Sequence, residues 1–594
     1  MAKNKNSTRY AESRARQYTV KELKELGWDV KHPDKNGNIL EEQEAKHYDE
    51  RFDELLGKDR PDFLIYLENS PVCVIECKND KEKIQEAIDD SKYYADKLSQ
   101  KYFSVKIAIG IAGNEESGVT VRCLYKEKNI WLEIKGNNYP LTQFLNQTQL
   151  QQVLLNKKPS IDLDIPTEEQ FYKVAEKINK IMHEAKVNKS DRAVYLASII
   201  IALKEGDIDT KPSVILGQIN ANVESSLIKY HKEDLLNIFK MTGKSDLLKK
   251  QLPLIFHNLD RLNIRALMNT GADILGKFYE TFLRYGNDAK ELGIVFTPRH
   301  IAKFMADLID INSTDIVFDP ACGTGGFLIT AFTMMKEQVR NNTKALNKIK
   351  LEQIIGIDYE DSGKIPALAV ANMIFRGDGK SNIFNENCFT FNKFKKQFAT
   401  KVLMNPPYAQ TETENMFIDN AMEYLKPGGL FAGIFTYAVL AEKSSAKWRK
   451  DFLSKHTILA VFTMPPDLFY PTSANACIMI AKAHISHSGK IFYARVENDG
   501  YKISRKKRVE KPGSQLPKVF ELYKIKELRP KELSNPGFTE YCDLDSADDL
   551  CELVPEAYLE QPNYSKDEIS KVATDLIREY GAFNIKFQDK LKLL

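Results

Sequence analysis

The chain has 594 residues, which at ~150 residues per domain allows several separate cores and excludes a peptide hormone or a small disulfide scaffold. It is 43% hydrophobic and 28% charged, so most of it has enough apolar material to fold, which excludes wholesale disorder. Lys and Arg number 85 against 82 for Asp and Glu, a net charge of +3 that creates no global field for a polyanion, so any nucleic-acid surface is local.

The sequence contains no pattern typical of secretion or of a membrane span. The first residues, MAKNKNSTRYAESRARQ, lack the apolar core of a signal peptide. The longest nearly pure apolar run, Ala193 to Leu203, is well short of the ~18 to 20 residues that cross a bilayer. The eight cysteines form no CxxC pair and have no companion histidines at zinc-finger spacing. We expect a soluble, cytoplasmic protein with reduced thiols and no membrane partner.

Residues 1–150 have the pattern of a small α/β domain. A charged amphipathic helix comes first. Two short apolar strands, Phe63 to Leu67 and Val72 to Cys77, are then separated by four turn-forming residues, and a helix pattern runs from about Lys81 to Gln100. A further apolar run, Val105 to Ala112, predicts another strand of the same domain.

The two predicted strands carry a PD motif followed by ECK. Their pairing places Asp62 roughly opposite Glu76, and the strand period of two puts Glu76 and Lys78 on one face while Ile75 and Cys77 point to the other. Asp62 and Glu76 together suit a divalent ion such as Mg²⁺ at ~2.1 Å, which polarises a phosphodiester while Lys78 stabilises the developing charge. Ionised side chains in an apolar strand cost free energy unless they serve a site. A nuclease site is predicted, with a chance match on a surface hairpin as the alternative.

The rest of the chain divides into three further predicted regions. Apolar residues recur at spacings of three and four at 160–290, which predicts an all-helical connector. At 291–490 short apolar strands alternate with helices, which predicts a doubly wound parallel sheet with ligands at the carboxyl ends of its strands. Residues 491–594 form a mixed, more polar C-terminal region, suited either to docking of a partner subunit or to capping the domain. Its basic run, Lys502 to Lys511, suits either DNA phosphates or solvent.

Two motifs at predicted strand ends suit a nucleotide-like cofactor. DPACGTGG at 319–326 follows a strand and opens a helix pattern, so its glycines let the backbone pass close to a ligand, and Asp319 suits an ammonium group. IIGIDYE ends a second strand with Asp358, which is placed for ribose hydroxyls. Taken singly, the first motif also fits a generic nucleotide loop and the second an ordinary solvated acid.

NPPY at 405–408 follows a third predicted strand. Two consecutive prolines remove two N–H donors and leave the Asn405 amide oxygen and the Pro406 carbonyl as fixed acceptors. An amine that attacks a sulfonium methyl needs its lone pair freed from ring conjugation, and two acceptors for its hydrogens favour that geometry. Tyr408 is then available to stack on the base. Because this loop lies downstream of the glycine loop and the ribose acid, it predicts methyl transfer to an amine rather than a packing loop.

Together these motifs resemble the adenine-N6 DNA methyltransferases with an NPPY/F signature, which use S-adenosylmethionine, and most closely the modification subunits of type I restriction systems. The resemblance covers roughly Gly271 to Ala483 and includes FTPRHIAKFMADL at 296–308 and DLFYPTSANACIMI at 467–480. It implies that Phe469 packs against an adenine extruded from the duplex. It departs at Asn387, where the family commonly has an acid that contacts the cofactor's adenine amine. The implied cofactor-binding residues are Thr297, Pro298, Asp319, Pro320, Gly323, Thr324, Gly325, Asp358 and Asn387, and the implied catalytic residues are Asn405, Pro406, Pro407 and Tyr408.

Asp62, Glu76 and Lys78 resemble the PD-(D/E)xK nucleases, and the helix after them is similar to the nuclease domain of type I restriction subunits. By that resemblance Glu12 is the auxiliary acid. Tyr94 matches the tyrosine that those subunits often carry on the next helix, but Asp90 stands in place of their glutamine. The combination of nuclease, connector and methylase resembles the catalytic subunit of type IIB or type IIG restriction-modification enzymes.

The resemblance implies a bifunctional enzyme that methylates adenine N6 at a DNA site and cuts nearby with Mg²⁺ when that site is unmodified. Only about 100 residues follow position 490, too few for two recognition modules, so a separate specificity subunit, and with it a hetero-oligomer on double-stranded DNA, is expected. Two alternatives stay open. One is a modification-only methyltransferase whose degenerate nuclease domain grips DNA. The other is a non-catalytic DNA-binding or scaffold subunit.

Overall fold

The computed structural model describes most of the chain, and the chain is divided into two compact units. Residues 1–295, 323–325 and 360–381 make the first unit, and residues 296–322, 326–359 and 382–594 make the second. The predicted boundaries near 150, 290 and 490 stay predictions. The described residues are 5–45, 48–114, 118–242, 246–267, 274–286, 296–340, 342–407, 412–470, 475–504, 507–545, 548–560, 570, 573–574 and 577, without the side chains of 5–13, 285–286 and 507. The Glu12 side chain and Tyr408 lie outside them.

The first unit begins with a six-stranded sheet in chain order, in which the third and fourth strands are parallel and the other pairs antiparallel. The hairpin between the second and third strands turns on Glu68 and Asn69, both at positive φ, as a tight two-residue turn requires. The strands are β1 (Ile39–Glu41), β2 (Phe63–Leu67), β3 (Ser70–Lys78), β4 (Ile107–Asn114), β5 (Gly118–Glu127) and β6 (Ile130–Glu133). Strands β5 and β6 extend the sheet beyond the predicted elements.

Helices cover both faces of this sheet. The Cys77 sulfur lies 3.4 Å from Thr19 Oγ1 on the first helix, whereas Gly110, the partner of Glu76 on β4, lies against Ile88 of the fourth helix. The face with Glu76 is therefore the one that the fourth helix covers. The helices are α1 (Lys5–Glu25), α2 (Glu42–Ala45), α3 (Glu50–Leu56) and α4 (Ile84–Leu98). A small three-stranded sheet and one helix follow: β7 (Lys135–Gly136), β8 (Tyr139–Pro140), α5 (Gln147–Asn156) and β9 (Ser160–Ile161).

The predicted helical connector is helical in its described part. Its long central helix is buried along nearly its whole length, which explains its uninterrupted apolar sequence. In the described residues, no helix of the chain is both long and apolar enough to cross a membrane. The connector helices are α6 (Glu168–Glu184), α7 (Lys189–Glu205), α8 (Ile215–Tyr230), α9 (Leu236–Phe239), α10 (Asp246–Asp260), α11 (Ile264–Leu267) and α12 (Ile274–Thr281).

The second unit is built on a nine-stranded sheet. Its helices are α13 (Arg299–Leu308), α14 (Gly326–Gln338), α15 (Thr343–Lys348), α17 (Glu414–Tyr424), α18 (Tyr437–Ala441), α19 (Ala446–Lys455) and α20 (Leu516–Ile525). Helix α16 (Lys364–Phe375) lies between two strands of this sheet in the sequence but belongs to the first unit. The strands are β10 (Val317–Asp319), β11 (Ile354–Asp358), β12 (Asn382–Asn385), β13 (Ala399–Met404), β14 (Leu425–Thr436), β15 (Thr457–Thr463), β16 (Ala476–Lys482), β17 (Ile491–Arg495) and β20 (Thr539–Cys542).

The sheet has the order β12-β11-β10-β13-β14-β16-β15-β17-β20. The five strands from β12 to β14 are parallel, as the sequence predicts, but β16 is antiparallel to both its neighbours. A parallel return needs a crossover element of a dozen or more residues, and the described part of 464–475 contains no helix, so β16 runs back beside β15. The predicted fold class, an α/β protein with a helical connector and a doubly wound sheet, is confirmed. A separate hairpin, β18 (Tyr501–Ser504) and β19 (Lys507–Glu510), carries the basic run.

Candidate active sites

The carboxyl ends of three adjacent parallel strands bring together the residues predicted to act in methyl transfer. Asp319 and Asp358 are the last residues of β10 and β11, and Asn405 directly follows β13. Since β10 lies between β11 and β13 in the sheet, the three residues lie at one edge, where ligands bind in folds of this kind. Their individual roles stay predictions.

Asp319 is a buried carboxylate with one uncompensated oxygen. Its side chain is 1% exposed, and Oδ1 accepts a hydrogen bond of 3.1 Å from the Ala321 backbone N–H. Oδ2 has no hydrogen-bond partner among the described residues. Burial, with a further contribution from Asp358, raises the pKa of Asp319 well above its usual value. A ligand that brings an ammonium group to Oδ2 would relieve this cost, so the site fits the amino group of S-adenosylmethionine.

The glycine loop has the backbone that its sequence predicts. Gly323 and Gly325 have φ values of +52° and +85°, in the region that side-chain-bearing residues rarely adopt. The Asn372 side chain donates to the Thr324 carbonyl at 2.9 Å and fixes the loop, while Pro320 is buried. The loop therefore presents backbone rather than side chains at its glycines.

Asn405 and Thr297 are joined by a hydrogen bond in which Asn405 Nδ2 donates to Thr297 Oγ1 at 3.1 Å. In this arrangement the nitrogen end of the amide faces Thr297, and the Asn405 oxygen is directed away from it. Pro298 lies at the N-cap of α13, and Pro406 is buried while Pro407 is half-buried. The sequence singles out Thr297 and Asn405 separately, and the structure joins them by this hydrogen bond.

Two residues that the sequence predicts to contact ligands, Asn387 and Phe469, are respectively hydrogen-bonded within the protein and buried. Asn387 is exposed, and its side-chain oxygen accepts the Phe389 backbone N–H at 2.8 Å, which caps a turn. A carbonyl oxygen has two lone pairs, so one acceptor position is used by the protein itself. Phe469 is only 5% exposed. In this conformation its ring is packed inside the protein rather than presented to a base.

Sequence reasoning missed an ionic network beside these motifs. Both oxygens of the buried Asp499 accept from Arg508, at 2.7 and 2.9 Å, and Oδ2 lies 2.8 Å from His300 Nε2. The His300 ring stacks on Tyr501 at 4.4 Å, and Arg508 Nε lies 3.5 Å from Asp467 Oδ2. Burial opposes ionisation, but His300 and Arg508 outweigh it and lower the pKa of Asp499 to about 2.

The network joins two of the motifs that carry the methyltransferase resemblance. His300 belongs to the first of them and Asp467 to the last, while Arg508 comes from the β18–β19 hairpin. Arg508 therefore binds acids of its own protein rather than phosphates or solvent. His300 and Asp499 are 199 residues apart, so no local pattern could have predicted their pairing.

The PD and ECK residues meet as the strand pattern predicts. Phe63 pairs with Ile75, which places Asp62 opposite Glu76. The Asp62 backbone N–H donates to Glu76 Oε1 at 2.9 Å, and the Cys77 backbone N–H donates to Asp62 Oδ2 at 2.7 Å. Glu76 is 6% exposed, and burial, together with the nearby Asp62 charge, raises its pKa well above the usual value.

Lys78 is held by two acids of α4. Its Nζ lies 2.5 Å from Asp90 Oδ2 and 3.3 Å from Glu86 Oε1. Burial favours the neutral amine, but the two acids outweigh it and raise the pKa of Lys78. Tyr94 has a raised pKa because it is partly buried and close to Glu76. Asp90, the residue that departs from the family pattern, is thus the direct partner of Lys78.

Arg16 of α1 and Glu42 of α2 complete the environment of Asp62, and sequence reasoning missed both. Arg16 Nε donates to Asp62 Oδ1 at 2.8 Å, and Arg16 Nη2 contacts the same oxygen and also Glu42 Oε2, the latter at 2.5 Å. In the described part of the chain, no group of three or more His, Cys, Asp or Glu side chains could hold a metal ion. Among the described residues, Asp62 and Glu76 are two adjacent carboxylates, one largely and one fully buried, and their charge fits a cation.

Comparisons with known proteins match both halves of the chain. The N-6 DNA Methylase family model matches residues 270–567, just over half of the chain. The model for the N terminus of the type I restriction enzyme R protein matches residues 9–129.

Three individual proteins illustrate the similarity. The type II restriction enzyme and methyltransferase RM.BcgI of Heyndrickxia coagulans is 31% identical in an alignment 525 residues long that covers 76% of this chain and 78% of that protein. The type I restriction enzyme MjaVIII methylase subunit of Methanocaldococcus jannaschii is 26% identical in an alignment 387 residues long that covers 56% of this chain and 63% of that protein. A chain from a solved type I restriction-modification system is 19% identical with a TM-score of 0.49, over 72% of this chain and 99% of that chain. The chain therefore belongs to the N-6 DNA methylase family, among the members in which a type II restriction enzyme and a methyltransferase are fused in one polypeptide.

Proposed function

We propose that this protein transfers a methyl group from S-adenosylmethionine to adenine N6 in a recognised DNA site and cuts unmodified DNA with a Mg²⁺-dependent nuclease. The observation that carries the methylase half is the Asn405 amide, oriented by Thr297, at the same sheet edge as the buried, uncompensated Asp319. Membership of the N-6 DNA methylase family supports the choice of an amine as the methyl acceptor.

The cofactor contacts follow from the strand ends. Asp319 binds the ammonium group, Asp358 binds the ribose hydroxyls, and the backbone at Gly323, Thr324 and Gly325 lies against the cofactor with Pro320. Thr297 and Pro298 line the same site, and the Asn387 amide contacts the cofactor's adenine. S-adenosylmethionine supplies a sulfonium-activated methyl group when bound.

The target base is held by acceptors and aromatic rings. The Asn405 oxygen and the Pro406 carbonyl accept the two N6 hydrogens, which turns the nitrogen lone pair towards the methyl group without prior deprotonation. Pro407 stiffens the loop. A duplex hides this amine, so the adenine leaves the stack and lies between Tyr408 and Phe469. Because Phe469 is buried in this conformation, its ring moves when the base enters.

The nuclease half acts at the Asp62 and Glu76 pair. These carboxylates would hold Mg²⁺, which would supply polarisation of the phosphodiester and activation of water. Lys78 lies on the same strand face as Glu76 and is kept charged by Asp90 and Glu86, so it stabilises the negative charge that develops on the phosphate. The match of residues 9–129 to the R-protein model supports this assignment.

We assign target recognition to a separate specificity subunit, with double-stranded DNA as the shared substrate and the cytoplasm as the compartment. The sheet of the second unit continues to Cys542, so most of the region after residue 490 completes that unit. The similarity of the chain to a type I restriction enzyme methylase subunit supports a hetero-oligomer of this chain with a specificity partner.

Two variants of the full chain test the two halves against each other. Asn405→Ala should abolish incorporation of tritiated methyl groups into a plasmid and leave Mg²⁺-dependent cutting intact, while Glu76→Ala should do the reverse. Each variant is thus the folding control for the other. Undiminished methyl incorporation by Asn405→Ala would overturn the methylase mechanism, and unchanged cutting by Glu76→Ala would overturn the nuclease assignment.

A modification-only enzyme is the second candidate, and the pairing of Lys78 with Asp90 in place of the family's glutamine favours it. In that case the wild-type chain, assayed with its specificity partner, methylates the plasmid but does not cut it with Mg²⁺ or Mn²⁺. If the chain fails to bind S-adenosylmethionine in a calorimetric titration, the non-catalytic scaffold is the remaining candidate function.

A further inference from the structure

Both oxygens of the Asp62 carboxylate are occupied within the protein. Oδ2 accepts the Cys77 backbone N–H at 2.7 Å, and Oδ1 accepts Arg16 Nε at 2.8 Å together with Arg16 Nη2. The guanidinium thus covers the oxygen that is not tied to the β3 backbone. A divalent ion and a guanidinium seek the same lone pairs of a carboxylate, so an ion that binds Asp62 through Oδ1 must displace Arg16.

Arg16 has a second acid within reach. Its Nη2 lies 2.5 Å from Glu42 Oε2 while it also contacts Asp62. The Glu42 backbone N–H donates to the Asp62 carbonyl at 3.1 Å, so the main chain keeps Glu42 beside Asp62. Arg16 can therefore leave the Asp62 carboxylate without losing an anionic partner, since Glu42 retains it.

The charges of Asp62, Glu76 and Arg16 explain why Arg16 contacts Asp62 when no metal ion is bound. Glu76 and Asp62 are adjacent carboxylates in a buried setting, where like charges repel strongly. The Arg16 guanidinium is in direct contact with Asp62 of this pair. When a divalent ion arrives, the pair gains a stronger counter-ion and the Arg16 charge is better placed on Glu42.

We propose that Arg16 is a positioning residue of the nuclease site, which holds Asp62 in the ion-free protein and moves onto Glu42 when the ion binds. The inference rests on the proposed nuclease function. Arg16 competes with the ion and weakens its binding, while Glu42 favours ion binding by accepting the displaced guanidinium. The two residues therefore have opposite effects on metal affinity although they form one ion pair.

The test is a calorimetric titration of the full chain with Mn²⁺ alone, which needs neither DNA nor cleavage. Arg16→Gln should tighten Mn²⁺ binding by about tenfold, because the ion no longer displaces charge-assisted hydrogen bonds. Glu42→Gln should weaken it severalfold, because Arg16 then has only Asp62. Arg16→Lys should stay close to wild type, since it keeps the competing charge. Lys24→Gln removes one exposed positive charge from the same helix and is the matched control, with unchanged affinity expected.

The double variant separates this mechanism from a general effect of charge. If Glu42 acts through Arg16, Glu42→Gln has no effect on Mn²⁺ affinity in the Arg16→Gln background. An equal effect of Glu42→Gln in both backgrounds would overturn the proposal, as would unchanged or weaker Mn²⁺ binding by Arg16→Gln.

Two further results separate failure of this inference from failure of the nuclease function. Slower cutting by Arg16→Gln at saturating Mg²⁺, with unchanged Mn²⁺ affinity, would make Arg16 a substrate-contacting residue and refute the exchange. Absence of Mn²⁺ binding in wild type and all variants would remove the nuclease assignment itself, and the inference with it.

Discussion

The hydrogen bond between Asn405 and Thr297 should contribute measurably to the rate of methyl transfer. Thr297→Val removes the acceptor at 3.1 Å and keeps a branched side chain of similar shape. A neutral hydrogen bond contributes ~0.5 to 1.5 kcal/mol. If that free energy is lost from the transition state, where the amide must point its oxygen at N6, the transfer rate falls by about two- to thirteenfold.

The assay is a single turnover of tritiated methyl transfer at saturating S-adenosylmethionine, so that a change in cofactor affinity does not affect the rate. Calorimetry reports the cofactor affinity separately, and thermal unfolding checks that the variant is folded. Thr297→Ser keeps the hydroxyl and is the matched control. A Thr297→Val rate equal to that of wild type, or a Thr297→Ser rate as low as that of Thr297→Val, would refute the orienting role of Thr297.

Two further substitutions test buried carboxylates. Asp319→Asn should weaken S-adenosylmethionine binding by about ten- to a hundredfold, because a hydrogen bond to a charged group contributes ~1.5 to 3 kcal/mol. It should also raise the thermal midpoint of the cofactor-free protein at neutral pH, because the raised pKa of Asp319 means that its ionised form destabilises the fold. An unchanged cofactor affinity by calorimetry would contradict this role. The pKa of Asp499 is lowered from 3.8 to about 2, so this group stabilises the fold above pH 4 and the stabilisation is lost as the pH falls towards 2. Arg508→Gln should reduce that acid-dependent loss in thermal unfolding, and an unaltered pH profile would argue against the network.

The sequence predicts those parts of the sites that depend on local regularity. Strand alternation and the two-residue turn bring Asp62 close to Glu76. A register shift of one residue between Ile65 and Tyr66 then places the two residues directly opposite each other, since the turn alone would pair Asp62 with Ile75. Asp319, Asp358 and Asn405 lie at one edge because parallel strands have their carboxyl ends on the same side.

The periodic patterns of strands and helices do not indicate which distant segments of the chain contact each other. Arg16 and Asp62 are 46 residues apart in the sequence. The residue pattern of the helix that carries Arg16 does not indicate which carboxylate this side chain contacts. The antiparallel direction of β16 likewise depends on its connection to β15, which has no crossover helix in its described residues. The alternating apolar pattern of a strand is the same in either direction.

The assignment of helix α16 to the first unit affects how the two proposed activities could be separated by mutation. Every residue from Pro366 to Phe375 is buried, Lys364 pairs with Asp191 at 2.7 Å, and the Phe375 ring contacts Tyr279. A gene truncated to begin at residue 296 would keep this helix but lose both of those partners, and its apolar surface would be exposed to water. A deletion limited to the predicted nuclease region, residues 1–150, would instead keep Asp191 and Tyr279. Loss of the 5′ part of the gene should therefore be compatible with the proposed methylase only when it stops before the codon for Asp191.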